Sequence, residues 1–126
     1  MSTTVTSKGQ VTIPKALRQQ LERARREAPG RRLLVLSESL FSMEGTSPDV
    51  PQLADLCRRH GAALLLDEAH GAHLGLDPRL GAPALACGAD LVVQSLQKAA
   101  GGLAQSAVLL QGPSSTTAAA AIERAL

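Results

Sequence analysis

ALLLDEAHGAHLGLDPRLGAPALACGADLVVQSLQK, residues 63–98, contains two apolar runs of strand length, ALLLD (63–67) and ADLVVQS (89–95), each ending on polar side chains. Between them lie a loop through Pro78, an Ala-rich turn or helix at 82–87, and Gly88. The same unit stands immediately upstream. LLVLSE (33–38) has the length and composition of a strand buried on both faces. The loop SLFSMEGTSPDV follows, and PQLADLCRRH (51–60) then sets Leu53, Leu56 and Cys57 on one face, with Pro51 at its start and Gly61 closing it. Strands alternating with helices imply a parallel sheet, so the expected class is α/β, a partial parallel sheet with flanking helices.

Working outward, QSAVLLQ (105–111) reads as one more strand, and GPSSTT leads into the helix AAAAIERAL, where Ile122 and Leu126 supply an apolar stripe. At the other end TTVTSKGQVTI (3–13) alternates β-branched and polar residues around a Ser-Lys-Gly-Gln turn, and Pro14 opens the helical stretch KALRQQLERARRE. The basic run RARRE at 23–27 reads as a solvated helix face.

The chain of 126 residues has room for one modest core. With one Phe and neither Trp nor Tyr, that core must be built of Leu, Val, Ala and Ile, and nucleic-acid binding by base stacking lacks its platforms. The net charge of +2 hides an asymmetry: residues 1–32 carry eight Lys or Arg against two Glu, and residues 33–126 carry five against nine acids. A basic arm joined to a different body is the expectation. Two cysteines, with no signal peptide and no apolar run long enough for a bilayer, point to a reducing, cytoplasmic setting away from membranes.

Ligands of open parallel sheets gather beyond the carboxyl ends of the strands, and three such ends deliver polar residues here: Ser37 and Glu38, Asp67 to His70, and Ser95 to Lys98. An acid at a buried strand end needs a cationic partner, and a lysine in an apolar setting turns toward nucleophilic use. Pyridoxal phosphate answers both, offering a ring nitrogen to the acid and an aldehyde to the amine.

On these residues the stretch LLLDEAHGAHLGLDPRLGAPALACGADLVVQSLQK resembles the major domain of the ornithine/lysine/arginine decarboxylase group of fold-type I pyridoxal-phosphate enzymes. RRLLVLSESLFSMEGTSPDVPQLADLCRRHGAALLLDEAH is equally similar to the α-oxoamine synthases, including the serine palmitoyltransferase kind. The resemblance, over about residues 21–112, implies a fragment of the cofactor domain in which Lys98 is the Schiff-base lysine and Asp67 pairs with the ring nitrogen. It further implies that His70 contacts the ring hydroxyl, Ala69 packs on the ring face, and Ser95 helps hold the phosphate. The strand ending at Asp67 is then expected between those ending at Ser37 and Ser95. The implied reaction is decarboxylation of an amino acid or its condensation with an acyl thioester, in a homo-oligomer. Gln97 departs from the His usual in the decarboxylases, and Ala99 and Ala100 replace their Thr and Leu. The family's phosphate loop, ring-stacking residue and small domain have no counterpart in these residues, so one copy is not expected to assemble a complete, active site.

A second resemblance is shorter. TTVTSKGQVTIPKALRQQL is similar to the opening of AbrB/MazE-type swapped-hairpin DNA-binding proteins, which would make 1–21 an arm ahead of a body at 22–126 and carry DNA contacts onto Lys8, Lys15 and Arg18. Its first strand would then pair with another copy of the chain. A regulator of that type and a non-functional fusion or truncated product are the alternative readings. Cys57, His60, His70 and His73 have spacings that could hold zinc, but Cys57 lies on an apolar helix face, and no metal is expected. LLLDEAH without a Gly-rich GK[ST] loop does not make a nucleotide site.

Overall fold

The computed structural model describes residues 10–11, 15–115 and 119–125. Strand β1 (Gln10–Val11) precedes helix α1 (Lys15–Glu27), then come β2 (Leu33–Glu38), β3 (Ser47–Pro48), α2 (Val50–Arg59), β4 (Ala62–Asp67), β5 (Leu91–Ser95), β6 (Ala107–Gln111) and α3 (Ala119–Glu123). One sheet runs in the order β2-β4-β5-β6 and a two-stranded one pairs β1 with β3. Strands β2, β4 and β5 are parallel, with β4 in the middle as the crossover argument requires.

Helix α2 forms where Asp49 caps it, its carboxylate accepting the Gln52 N–H at 3.0 Å, and where Pro51 needs no donor in the first turn. Its apolar stripe lies on β4. Alternation along β4 puts Ala62, Leu64 and Leu66 on that covered side, and Leu64, Leu66 and Val92 are completely buried. Leu21 of α1 and Val35 of β2 join the same cluster.

The three strands expected to be parallel are so, and β6, whose direction the sequence leaves open, returns antiparallel to β5. The connection over 96–106 is a hairpin loop, too short to carry the chain back to the start of β5. Residues 82–87, expected as a turn or a helix, form hydrogen-bonded turns, with Ala86 N–H donating to Pro83 and Gly88 N–H to Leu85. One expectation is corrected: β2 is not buried on both faces, Leu34 and Leu36 being 55% and 67% exposed, because among the described residues the helices α1 and α2 pack on one side only.

Of the stretch on which the swapped-hairpin expectation rests, only residues 10 and 11 of the strand are described, and they give it no support. Gln10 and Val11 pair in parallel with Ser47 and Pro48 of the same chain, within the loop that follows β2. Lys8 lies outside the described residues, and Lys15 and Arg18 are exposed on α1. The basic run is not all solvated face. Arg23 does pair with Glu27 in the open, but Arg25 reaches across to the end of α2, its guanidinium donating to the carbonyls of His60 (2.6 and 3.1 Å), Gly61 (3.0 Å) and Arg31 (3.0 Å).

Candidate active site

Asp67 is the last residue of β4, where the chain leaves the sheet and alternation turns its side chain away from α2. Its carboxylate accepts the Ala69 N–H at 2.8 Å, which bends the chain into a short turn that brings out His70. In register with Asp67 stand Glu38 at the end of β2 and Val93 on β5, so Ser95, two residues further, shares the Asp67 face. Asp67, His70 and Lys98 are exposed, and Ala69 and Ser95 half-buried.

Lys98 sits on the hairpin loop beyond β5. That loop is tied by Leu96 N–H to the Ser106 carbonyl at 3.0 Å and by Gly102 N–H to the Leu96 carbonyl at 2.6 Å, an approach so close that a Cβ on Gly102 would stand 2.8 Å from the same oxygen. So held, the Lys98 amine lies 3.3 Å from His70 Nε2 across 28 residues of sequence. An ammonium can only donate, so a charged Lys98 requires Nε2 bare and the imidazole proton on Nδ1, whereas a neutral amine can accept from Nε2–H.

Beneath these groups is a buried carboxylate. Glu68 is 1% exposed, and both its oxygens have donors: Gln94 Nε2 at 2.8 Å and the Ala84 N–H at 3.0 Å. Ser39, 2% exposed, donates its backbone N–H to the Asp67 carbonyl, while its hydroxyl has no hydrogen-bond partner among the described residues. Neither Glu68 nor Ser39 stands out in the sequence, although the alternation of LVVQS, which puts Gln94 on the side of buried Val92, is a signal that a polar partner waits there.

Both thiols are held toward their protonated form. Burial, with the Asp90 charge adding, pushes Cys57 up to about 11, and burial followed by the Glu68 and Asp49 charges raises Cys87. Among the described residues no group of three His, Cys, Asp or Glu could hold a metal ion, and no helix is long and apolar enough to cross a membrane.

Comparison with known proteins places these residues in context. A family model described as aminotransferase class I and II matches residues 8–121. An 8-amino-7-oxononanoate synthase of Polaromonas sp. is 41% identical over an alignment of 93 residues that covers 64% of this chain and 22% of that protein. The Nitrosospira multiformis 8-amino-7-oxononanoate synthase is 51% identical over 51 residues, 40% of this chain and 13% of its own. Among solved structures, Sphingomonas wittichii serine palmitoyltransferase superposes with a TM-score of 0.63 at 25% identity, over 79% of this chain and 25% of that one. An SPT solved with PLP gives a TM-score of 0.58 at 24% identity over 77% and 25%, a likeness of fold. The chain thus spans less than a quarter of the length of the curated relatives it matches. These relatives are synthases and palmitoyltransferases, so they support neither the decarboxylase reading nor the DNA-binding one.

Proposed function

Since the chain belongs to the aminotransferase class I and II family, we propose that it is the central segment of the cofactor domain of a pyridoxal-phosphate enzyme that condenses an amino acid with an acyl thioester. The observation that carries this reading is the meeting of the Lys98 amine and the His70 ring at 3.3 Å, on the turn that begins with Asp67. The Lys98 amine and the His70 ring meet beyond the carboxyl ends of β4 and β5, and Asp67 and Ser95 share one face at those ends, a set that would suit a phosphorylated pyridine aldehyde.

In this reading pyridoxal phosphate would be held by Lys98 at its aldehyde, by Asp67 at the ring nitrogen, where the carboxylate would keep a proton, by His70 at the ring hydroxyl, by Ala69 against the ring and by Ser95 at the phosphate. Pyridoxal phosphate held in this way supplies an electron-withdrawing ring to an amino acid. The chain's own contribution is orientation. The His70 contact fixes the direction of the Lys98 amine, and the Asp67–Ala69 hydrogen bond fixes the turn from which His70 projects. Phosphate sites normally use several backbone N–H donors, so Ser95 by itself retains the group weakly. Condensing rather than decarboxylating chemistry follows the synthase relatives. An assembly of two copies is part of the proposal.

The test uses the three lysines of the sequence, Lys8, Lys15 and Lys98. The chain is mixed with pyridoxal phosphate, reduced with borohydride and mapped by mass spectrometry. Label concentrated on Lys98, absent in Lys98→Ala, and no turnover by the isolated chain are expected. Label spread evenly over the three lysines overturns the reading, and turnover in the isolated chain would show that its site is more complete than proposed.

A further inference from the structure

Glu68 lies between Asp67 and Ala69 yet takes no part in the arrangement above; its side chain turns inward. Its backbone N–H donates to the Val93 carbonyl at 2.8 Å, its Oε1 accepts from Gln94 Nε2, and its Oε2 accepts from the Ala84 N–H. One side chain thereby joins the end of β4 to β5 one residue before Ser95, and both to the turn at 83–88. On its other flank a Cβ placed on Gly71 would stand 2.7 Å from Glu68 Cγ, so the residue after His70 rests directly on it.

Burying a carboxylate is unfavourable unless its oxygens are satisfied, and a leucine of similar volume would fill the space without that cost. What leucine cannot do is hold two donors on separate segments at fixed positions. We propose that Glu68 is a positioning residue: its clamp on Gln94 and Ala84 sets the spacing between the β4 turn that carries His70 and the β5 hairpin that carries Lys98. The consequence for cofactor capture rests on the function proposed above, whereas the spacing itself does not.

Three variants of the full chain separate this from a packing role. Glu68→Gln can keep both contacts if the Gln94 amide turns over, so that the new amide donates to Gln94 Oε1 and accepts from Ala84. Glu68→Leu loses both, and Gln94→Ala removes one arm while leaving Glu68 in place. The readout is the Lys98 to Lys15 labelling ratio with pyridoxal phosphate and borohydride, Lys15 on exposed α1 serving as internal control. Glu68→Leu is expected to lower the ratio about tenfold, Gln94→Ala several-fold, and Glu68→Gln by less than about threefold. Should Glu68→Leu fail to fold, Gln94→Ala carries the test. An unchanged ratio in a folded Glu68→Leu or Gln94→Ala chain, or a Glu68→Gln chain as impaired as Glu68→Leu, overturns the proposal. A cofactor-free measurement keeps the two readings apart. The His70 ring resonances should respond to Lys98→Ala in the unaltered chain and lose that response in Gln94→Ala. If the unaltered chain shows no Lys98 preference, the proposed function falls, and the resonances alone decide the positioning role: a response that persists in Gln94→Ala refutes it.

Discussion

Cys57 shows how one residue couples the core to pH. It is 1% exposed on the apolar face of α2, and its thiol is pushed from 9.0 to about 11, by burial first and then by the Asp90 charge. Below about pH 9 both folded and unfolded chains hold the proton, and this contribution to stability is complete. Above it the unfolded chain ionises while the folded one still binds the proton, so stability falls as pH rises toward 11. Urea unfolding should show a loss of about 1 kcal/mol between about pH 8 and about pH 10 that is absent from a Cys57→Ala chain, even though the latter is less stable throughout. The same pH dependence in both chains would locate its source elsewhere. At this scale Asp67, His70, Ser95 and Lys98 stand out in the sequence as polar residues at strand ends. Glu68 does not, because nothing in its neighbours on the chain reveals that Gln94 and Ala84, both distant in sequence, will supply its hydrogen bonds.

Between elements, Arg25 is the side chain that joins α1 to α2. The carbonyls of His60 and Gly61 sit at the C-terminal end of α2, where the helix dipole is negative and the last acceptors are unpaired, and the planar guanidinium meets several at once. Replacing Arg25 with Ala should destabilise the fold by about 2 kcal/mol, and Lys should recover only part of it because an ammonium lacks the fork. Chemical denaturation of the three chains measures this; an Arg25→Ala chain within about 0.5 kcal/mol of the parent would return Arg25 to the solvated face its sequence neighbourhood implies. Helix α1 itself is legible, its bounds at Lys15 and Glu27 following from Pro14 ahead and Pro29-Gly30 behind. Which of its arginines is engaged depends on where α2 ends in space.

At the largest scale the decisive feature is that, among the described residues, helices α1 and α2 cover one face of the sheet. Leu34 and Leu36 project from β2 on the side opposite α2, together with the half-buried Leu65 and Val93. An apolar patch of this kind favours association. The chain should therefore bind an apolar dye and scatter more light as its concentration rises, and a Leu34→Ser, Leu36→Ser double variant should do both less, at a stability cost under about 1 kcal/mol because neither side chain is packed. Dye binding and scattering unchanged by the pair would mean that the apolar surface responsible lies elsewhere, for instance at exposed Leu76 or Leu103.

The sequence alone determined the strands and the helices α1 and α2, the parallel β2, β4 and β5, and the polar residues at their carboxyl ends, because periodicity, turn residues and strand length act over a few neighbouring positions. It could not determine which way β6 runs, since direction depends on whether the loop from 96 to 106 can span the sheet. Nor could it tell that β2, apolar on both sides, is covered among the described residues on only one, because burial is decided by what packs against a strand. The contact of Lys98 with His70 and the clamp of Glu68 on Gln94 and Ala84 belong to tertiary structure for the same reason: each joins segments whose separation is fixed by the sheet and not by the intervening chain.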